Sequence, residues 1–493
     1  MRGFVLEEAT IAQVHKSMKK GILKCRELVE GYLERIEAYD KKGPSINSVI
    51  YVNPKALEEA DKLDEKFNKQ GFTGPLHGIP VLLKDNINTF DMPTTAGSLS
   101  LEGVVPERDA FITRRLREAG ALILAKVNLH EFAIWGETIS SILGQTLNPY
   151  DLTRTPGGSS GGTGASVAAN FGMLGIGTDT INSIRSPASA NNLVGIRPTM
   201  GLISRNGIVP YSYTQDTAGP ITRTVEDAVR LLDVIAGYDN DDSETSWSFG
   251  RKPKAYIEYL KLDGLEGKRI GILESFFGKE EIHEDTNKAV RNSIKTMEEK
   301  GAIIVSIDEI IDSEYLVKNV SVHLHDLKDH LNSYLDKLPE NVPVRTVKQI
   351  FDSGKYHRGI KDNLKKAMNL NINTPEYNKR LVEREKIRKI VMKLMADYEL
   401  DGIVYPHQKQ LVCLIGESQN ERNGVLGSVL GFPSICVQAG FSKASDTAPI
   451  GIPIGMEILG RPFSEGKLIE IAYSFEQTTK IRKMPLSTPP LRK

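Results

Sequence analysis

The sequence predicts an α/β fold, a central mixed β-sheet covered on both faces by helices. Helical stretches alternate along the chain with short apolar runs, which is the pattern of a sheet layered with helices. Two of those helices end at a glycine that leads straight into an apolar run. No internal repeat or low-complexity linker interrupts the pattern, and 493 residues suffice to bury a substantial core. The chain is therefore read as a single domain over 1–493, with a more variable, mainly helical elaboration at about 239–400.

The elements follow in order. Thr10 and Gln13 make a capping-box pattern before Ile11, Val14 and Met18. Leu28, Val29, Tyr32, Leu33 and Ile36 then recur at helical spacing, so the chain starts with a helical hairpin. Val81 to Leu83 is a strand-like run, and Lys84 follows it directly. A helix over Asp109 to Ala119 stops at Gly120 and leads into Ala121 to Ala125. Further strand-like runs are Leu174 to Ile176 and Ile270 to Leu273. A helix over Asp285 to Lys300 stops at Gly301 before Ala302 to Ile307. The stretch from Ser313 to Glu399 is charged and lacks clear strands; Tyr377 to Glu399 reads as one long amphipathic helix. Either these helices lie close to the site or they form a solvated outer layer. Ile403 to Tyr405 and Ser434 to Val437 complete the strand-like runs.

Composition narrows the function. Lys plus Arg and Asp plus Glu both number 63, so no net field attracts nucleic acid or an anionic membrane. No uncharged apolar run reaches the ~18–20 residues of a membrane span. The N-terminal MRGFVLEEATIAQVHKSMKK carries acids and lysines where a secretory signal needs an apolar core. Cys25, Cys413 and Cys436 are odd in number and far apart, which argues against a disulfide framework or zinc cluster and fits a reducing compartment. A cytoplasmic protein without a cofactor or metal is expected.

The segment Thr155 to Pro198 holds the chemistry. Ser159 and Ser183 stand 24 positions apart among glycines and other small residues, where a substrate lies directly against main-chain N–H groups. Lys84, at the end of an apolar run, is expected to be desolvated. Amide cleavage needs a nucleophile, a base, donors for the tetrahedral oxyanion and an acid for the departing amine. Lys84, Ser159 and Ser183 can supply all four. A neutral Lys84 near pH 7 requires its pKa to drop from about 10.4 to roughly 7–8, which burial provides.

The run GIPVLLKDN, then PGGSSGGTG, then GTDT-x-x-SIR-x-P-A, then LVGIRPT, resembles the amidase signature family of serine hydrolases in order and spacing. Ile46 to Asp64, Asp216 to Ala228 and Gly451 to Glu465 are also similar, so about three quarters of the chain is covered and about Asp239 to Leu400 is left poorly matched. The resemblance implies the amidase-signature fold, with Ser183 as nucleophile, Ser159 as bridge after a cis Gly158–Ser159 bond, and Lys84 as ultimate base. It implies backbone N–H donors at Thr180, Ile181, Asn182 and Ser183. It implies a stand-alone amidase acting on a small-molecule amide, with a homodimer as a common family assembly. One departure stands out: Ile181-Asn182 replaces the usual Gly-Gly before the nucleophile. Their side chains are expected to narrow the acyl pocket or to add a polar contact.

Rival readings are weaker. Gly157-Gly-Ser159-Ser-Gly161 fits the nucleophile elbow, but Asn148 to Pro156 is no apolar strand. Ser17-x-x-Lys20 lies on a lysine-rich helix face. His130-Glu131 starts a zinc-protease motif that fails at Ile134. His323, His325 and His330, with Asp326 and Asp329, lack ligand spacing. The GGSSGGTG glycines lack the lysine placement of a phosphate loop. Asp179 and Arg185 are read as buried charges holding the local framework. Three other functions remain: a degenerate binding protein, motivated by Ile181-Asn182; a carbamate or ester hydrolase; and the glutamine-hydrolysing component of a tRNA amidotransferase.

Overall fold

Apolar, β-rich runs separated by helices build one eleven-stranded sheet in the computed structural model, which describes residues 3–491. In chain order the strands are β1 (Val49–Val52), β2 (Pro80–Lys84), β3 (Leu122–Val127), the short hairpin β4 (Ile139–Ser140) and β5 (Gly144–Gln145), β6 (Leu174–Asp179), β7 (Val194–Arg197), β8 (Thr217–Thr222), β9 (Arg269–Leu273), β10 (Ile303–Ile307), β11 (Gly402–Pro406), β12 (Ser434–Phe441) and β13 (Pro453–Leu459). Across the large sheet they run β1-β3-β2-β6-β8-β7-β12-β13-β11-β9-β10. β3, β2 and β6 are parallel neighbours, as are β11, β9 and β10; the strands between β6 and β11 pair antiparallel. The sheet is mixed, as expected.

Every residue of β2, β3, β6, β7, β8, β11 and β13 is buried. Successive side chains point to opposite faces of a strand, so burial at every position means that both faces are covered. The helix Gly161–Ala168 packs on β2 and β6, and the helices Glu284–Glu299 and Glu465–Thr479 pack on β12. No helix among the described residues is long and apolar enough to cross a membrane.

The helical hairpin opens the chain as Ile11–Lys19 and Cys25–Arg35, with the Thr10/Gln13 capping box formed. Gly120 and Gly301 take left-handed φ values of 84° and 92° where their helices stop. The strands β1, β4, β5, β7, β8 and β13 are not among the strand-like runs of the sequence. β8 carries Gly219 and Pro220 and β13 starts at Pro453, residues that argue against a strand locally; sheet pairing on both sides overrides them.

Within 239–400, β9 and β10 extend one end of the sheet. The helices His323–Asp336, Val347–Ser353 and Lys361–Asn369 form a second apolar cluster: Leu327, Leu331, Ile350 and Leu364 pack with Leu101, Phe132, Ile134 and Tyr211. Two of them, His323–Asp336 and Lys361–Asn369, share a cavity wall with Thr180 to Ser183, so that part of the stretch lies close to the site.

Gly162, at the start of the helix on β2 and β6, donates its N–H to the Asn128 carbonyl at 3.1 Å, and a Cβ there would land on the Asn128 backbone. Gly162→Ala is expected to destabilise the fold by about 1–3 kcal/mol, read as a lowered midpoint in chemical denaturation; an unchanged midpoint would refute this packing.

Candidate active site

Lys84 is the last residue of β2, and its neighbour β6 carries Thr178 and Asp179 at the corresponding end. Two parallel strands thus deliver their carboxyl ends to one point, where ligands commonly bind in α/β sheets. Lys84 is fully buried. Its Nζ donates to Ser159 Oγ at 2.7 Å and Thr178 Oγ1 at 2.8 Å. Asn86 Nδ2 donates to the same threonine hydroxyl at 3.0 Å, which fixes its lone pairs. Among the described residues Lys84 forms no ion pair. Burial lowers its pKa to about 7, against the opposing pull of Asp179 and Asp216 further off. A large share of the amine is therefore unprotonated at neutral pH.

Ser159 sits in a clamped loop. Gly157, at φ 69°, has Ser186 backbone where a side chain would be, and its carbonyl accepts from Thr138 Oγ1 at 2.7 Å. The Gly158–Ser159 peptide is cis, and the Gly158 N–H donates to Ser186 Oγ at 3.3 Å. The Ser159 carbonyl accepts from the His130 N–H at 2.9 Å. Ser160 Oγ donates to the Thr178 carbonyl at 3.1 Å and accepts from its N–H at 3.2 Å, binding the loop to β6.

Ser183 lies on the turn between β6 and the helix Arg185–Ala190. The Ser160 N–H donates to its carbonyl at 3.3 Å, which joins the two serine loops. All four carbonyls from Thr180 to Ser183 are held: Thr180 by Gln215 Nε2 at 3.1 Å, Ile181 by Arg185 Nη2 at 2.9 Å and by Ser428 Oγ, and Asn182 by the Ser186 N–H at 2.7 Å. The corresponding four N–H groups donate to no acceptor among the described residues. Backbone N–H groups are obligatory donors, so four free in a row next to a buried serine make a ready receptor for a developing oxyanion.

Behind this turn lies a dry charge network. Arg185 Nη2 meets Asp179 Oδ1 at 3.1 Å and Arg185 Nη1 meets Glu457 Oε2 at 2.7 Å, while Arg197 Nη1 meets Asp179 Oδ1 at 2.8 Å. Burial opposes ionisation of Asp179, yet Arg185 and Arg197 hold its carboxyl well below the usual range. Asp179 and Arg185 therefore brace the framework, as their sequence context suggested.

Thr180 to Ser183 form the floor of a cavity of about 550 Å³ whose other walls include Trp135, Tyr211, His323, Asn363, Arg380 and Arg422. Ile181 leans on an apolar cluster with Leu316, Val320 and Val425. Asn182 is buried, and its Nδ2 has no partner. Both departures from glycine line the cavity, and neither side chain takes up the N–H groups. Of the residues singled out in the sequence, Lys84 and Ser159 are in direct contact, while Ser183 is joined to them through the Ser160–Ser183 backbone bond and its Oγ makes no hydrogen bond among the described residues.

The rival motifs disperse. The stretch before Gly157 is turns and isolated bridges, not an elbow strand. Lys20 is exposed at the end of its helix. His330 Nδ1 accepts from the Tyr213 N–H at 3.0 Å and Asp326 accepts from Ser212 Oγ at 2.6 Å and the Tyr377 hydroxyl at 2.9 Å. Thr178, Thr138, Ser186 and the cavity walls were not found from sequence. Thr178 lies within the GTDT motif, which was a signal; Trp135 and Arg422 carry none, being single residues in unremarkable loops.

The fold and this arrangement mark out a hydrolase of carbon–nitrogen bonds, and comparison with known proteins agrees. The family model for amidases matches residues 27–469. A probable amidase of Arabidopsis thaliana is 37% identical over 98% of this chain and 92% of its own. The A component of the glutamyl-tRNA(Gln) amidotransferase of Thermoanaerobacter pseudethanolicus is 34% identical over 97% of this chain and 98% of its own. The crystal structure of native peptide amidase from Stenotrophomonas maltophilia superposes with a TM-score of 0.88, at 35% identity, covering 97% of this chain and 98% of that one. The chain belongs to the amidase signature family. The match is wider than three quarters of the chain, since the family model spans the middle region as well.

Lys84 is expected to titrate near pH 7 in the folded protein, far below exposed lysines. An NMR titration with labelled lysine should show one such signal, missing from Lys84→Met; its absence from the wild type would refute the desolvated site.

Proposed function

We propose that the protein is an amidase that hydrolyses a carboxylic amide to an acid plus ammonia or an amine through an acyl-enzyme on Ser183. The observation that carries this reading is the row of four free N–H groups, Thr180 to Ser183, beside a serine cluster that ends on a desolvated lysine. In the proposed cycle, neutral Lys84 draws the Ser159 hydroxyl proton while Ser159 draws that of Ser183, whose Oγ attacks the carbonyl carbon. The oxyanion is taken by the free N–H groups. The proton held on Lys84 returns through Ser159 to the nitrogen, the C–N bond breaks, and the amine leaves. Water then enters by the same relay and releases the acid. No cofactor takes part in this scheme.

The relatives named as a probable amidase and a peptide amidase support a stand-alone enzyme working on small amides. The relative named as part of a glutamyl-tRNA(Gln) amidotransferase favours a second reading, a glutamine-hydrolysing component of a complex. Turnover by the purified chain alone separates the two.

Ser183→Ala and Lys84→Ala are expected to lose about 10²–10⁴-fold or more in kcat/KM toward simple amides, and Ser159→Ala less. A fluorophosphonate should modify Ser183, found by peptide mapping. Undiminished turnover by Ser183→Ala would overturn the assignment.

The pH profile has a definite sign. Lys84 with a pKa of about 7 is charged below that value and neutral above it. Since the scheme needs the neutral amine, kcat/KM should rise through about pH 7 and level off above it. A profile flat from about pH 5 to 9 would exclude a lysine base.

A further inference from the structure

The walls of the cavity before Ser183 are cationic. Lys318, Lys366, Arg380 and Arg422 line it against Glu376 alone. Arg380 is committed, with its Nε on Glu376 Oε1 at 3.0 Å and its Nη1 on the Ser321 carbonyl at 3.0 Å. Lys318 pairs with Glu314 at 2.8 Å, and Lys366 is at the exposed rim. His323, against Ser321 Oγ at 2.6 Å, is driven by burial to a pKa of about 3 and is neutral. Arg422 is different: among the described residues its guanidinium makes neither a hydrogen bond nor an ion pair. Glu137 is the carboxylate whose charge bears on it, and that group is already taken by the N–H groups of Gln419 at 3.0 Å and Gly136 at 3.2 Å and by His130 Nδ1 at 3.3 Å.

The backbone around Arg422 is nonetheless rigidly held. Lys409 N–H donates to the Glu421 carbonyl at 3.0 Å, and Asn423 N–H to the His407 carbonyl at 2.9 Å. Asn423 Nδ2 donates to the carbonyls of Phe276 and Pro406, each at 2.8 Å. Arg185 reaches the Gly424 carbonyl at 2.7 Å with Nη1 and the Ile181 carbonyl at 2.9 Å with Nη2, so one side chain sets the spacing between the Arg422 loop and the N–H row. The Arg422 guanidinium lies 5.9 Å from the centre of the Trp135 ring, and that ring is pinned by its Nε1 on Asn363 Oδ1 at 3.0 Å.

Arg422 is half-buried at the cavity wall, and a guanidinium without a protein acceptor on a preorganised loop is open to a ligand that completes it. A carboxylate matches its fork and takes two parallel hydrogen bonds. We propose that Arg422 anchors a carboxylate of the substrate, so that the preferred amides carry a second, anionic group. Thr180, Ile181, Asn182 and Ser183 line the same cavity, so a substrate held by Arg422 lies against the N–H row. This inference rests on the amidase reading above and narrows it to anionic amides.

The test compares matched substrates with the purified full-length chain. In one series the carboxylate is on the acyl side: succinamate and glutaramate against butyramide and valeramide. In the other it is on the amine side: hippurate against N-methylbenzamide. Expected is at least roughly tenfold higher kcat/KM for the anionic member in one series, with that ratio falling by a similar factor through KM in Arg422→Met and partly recovering in Arg422→Lys. Equal kcat/KM within both series, or a preference that survives Arg422→Met, would overturn it. Failure of every amide to turn over would count against the amidase reading instead. Calorimetric titration of glutaramate and hippurate into Ser183→Ala and Ser183→Ala/Arg422→Met then still decides: binding lost with Arg422 supports the anchor, and binding of neither ligand, or equal binding by both variants, removes it.

Discussion

The contact from Lys84 Nζ to Ser159 Oγ, made inside a fully buried pocket without a counter-ion, is the constraint on which the rest of the site depends. A second buried lysine shows how much the surroundings decide. Lys126 ends an equally apolar stretch of the adjacent strand β3, yet its Nζ sits 3.4 Å from Asp85 Oδ1, and that partner works against its desolvation. Burial lowers the pKa of both lysines, and Lys84, which contacts hydroxyls in place of a carboxylate, is brought to about 7. A charged partner at that point would convert a base into a structural ion pair.

The donor row rests on a different arrangement. Its carbonyls are all tied down by Gln215, Arg185, Ser428, Ser186 and Ser160, so the N–H groups are aimed by elimination. None of the residues from Thr180 to Ser183 has a positive φ, which is why Ile181 and Asn182 can occupy positions where glycine is the family habit. The backbone path needs no glycine; only the space above it changes. Ile181 and Asn182 both line that space, Ile181 as an apolar wall.

Chemistry and selection are built from different parts of the chain. Lys84 ends β2, Ser183 lies on the turn after β6 and Ser159 on the tight loop before the helix Gly161–Ala168, all of them buried. Much of the wall comes from the helices between 323 and 369, which share an apolar cluster with residues such as Leu101, Phe132 and Tyr211, and from Glu376 and Arg380.

Much of this was legible in one dimension. The Thr10 capping box, the stops at Gly120 and Gly301, the run that ends in Lys84 and the small-residue segment around Ser159 and Ser183 are local signals, since each depends on a few neighbouring residues. β8 and β13 were not legible, because Pro220 and Pro453 are tolerated only through pairing with strands distant in sequence. The burial of both Lys84 and Lys126 behind apolar runs did not separate them; only the GIPVLLKDN motif did, and nothing local gave weight to Arg422 and Trp135. The sequence by itself determined the α/β layering and the identity of the reactive side chains. The tertiary structure alone decided which lysine lies without a counter-ion, which N–H groups stay free and which arginine is left unpaired, because solvation and pairing depend on groups that folding brings together from hundreds of residues apart.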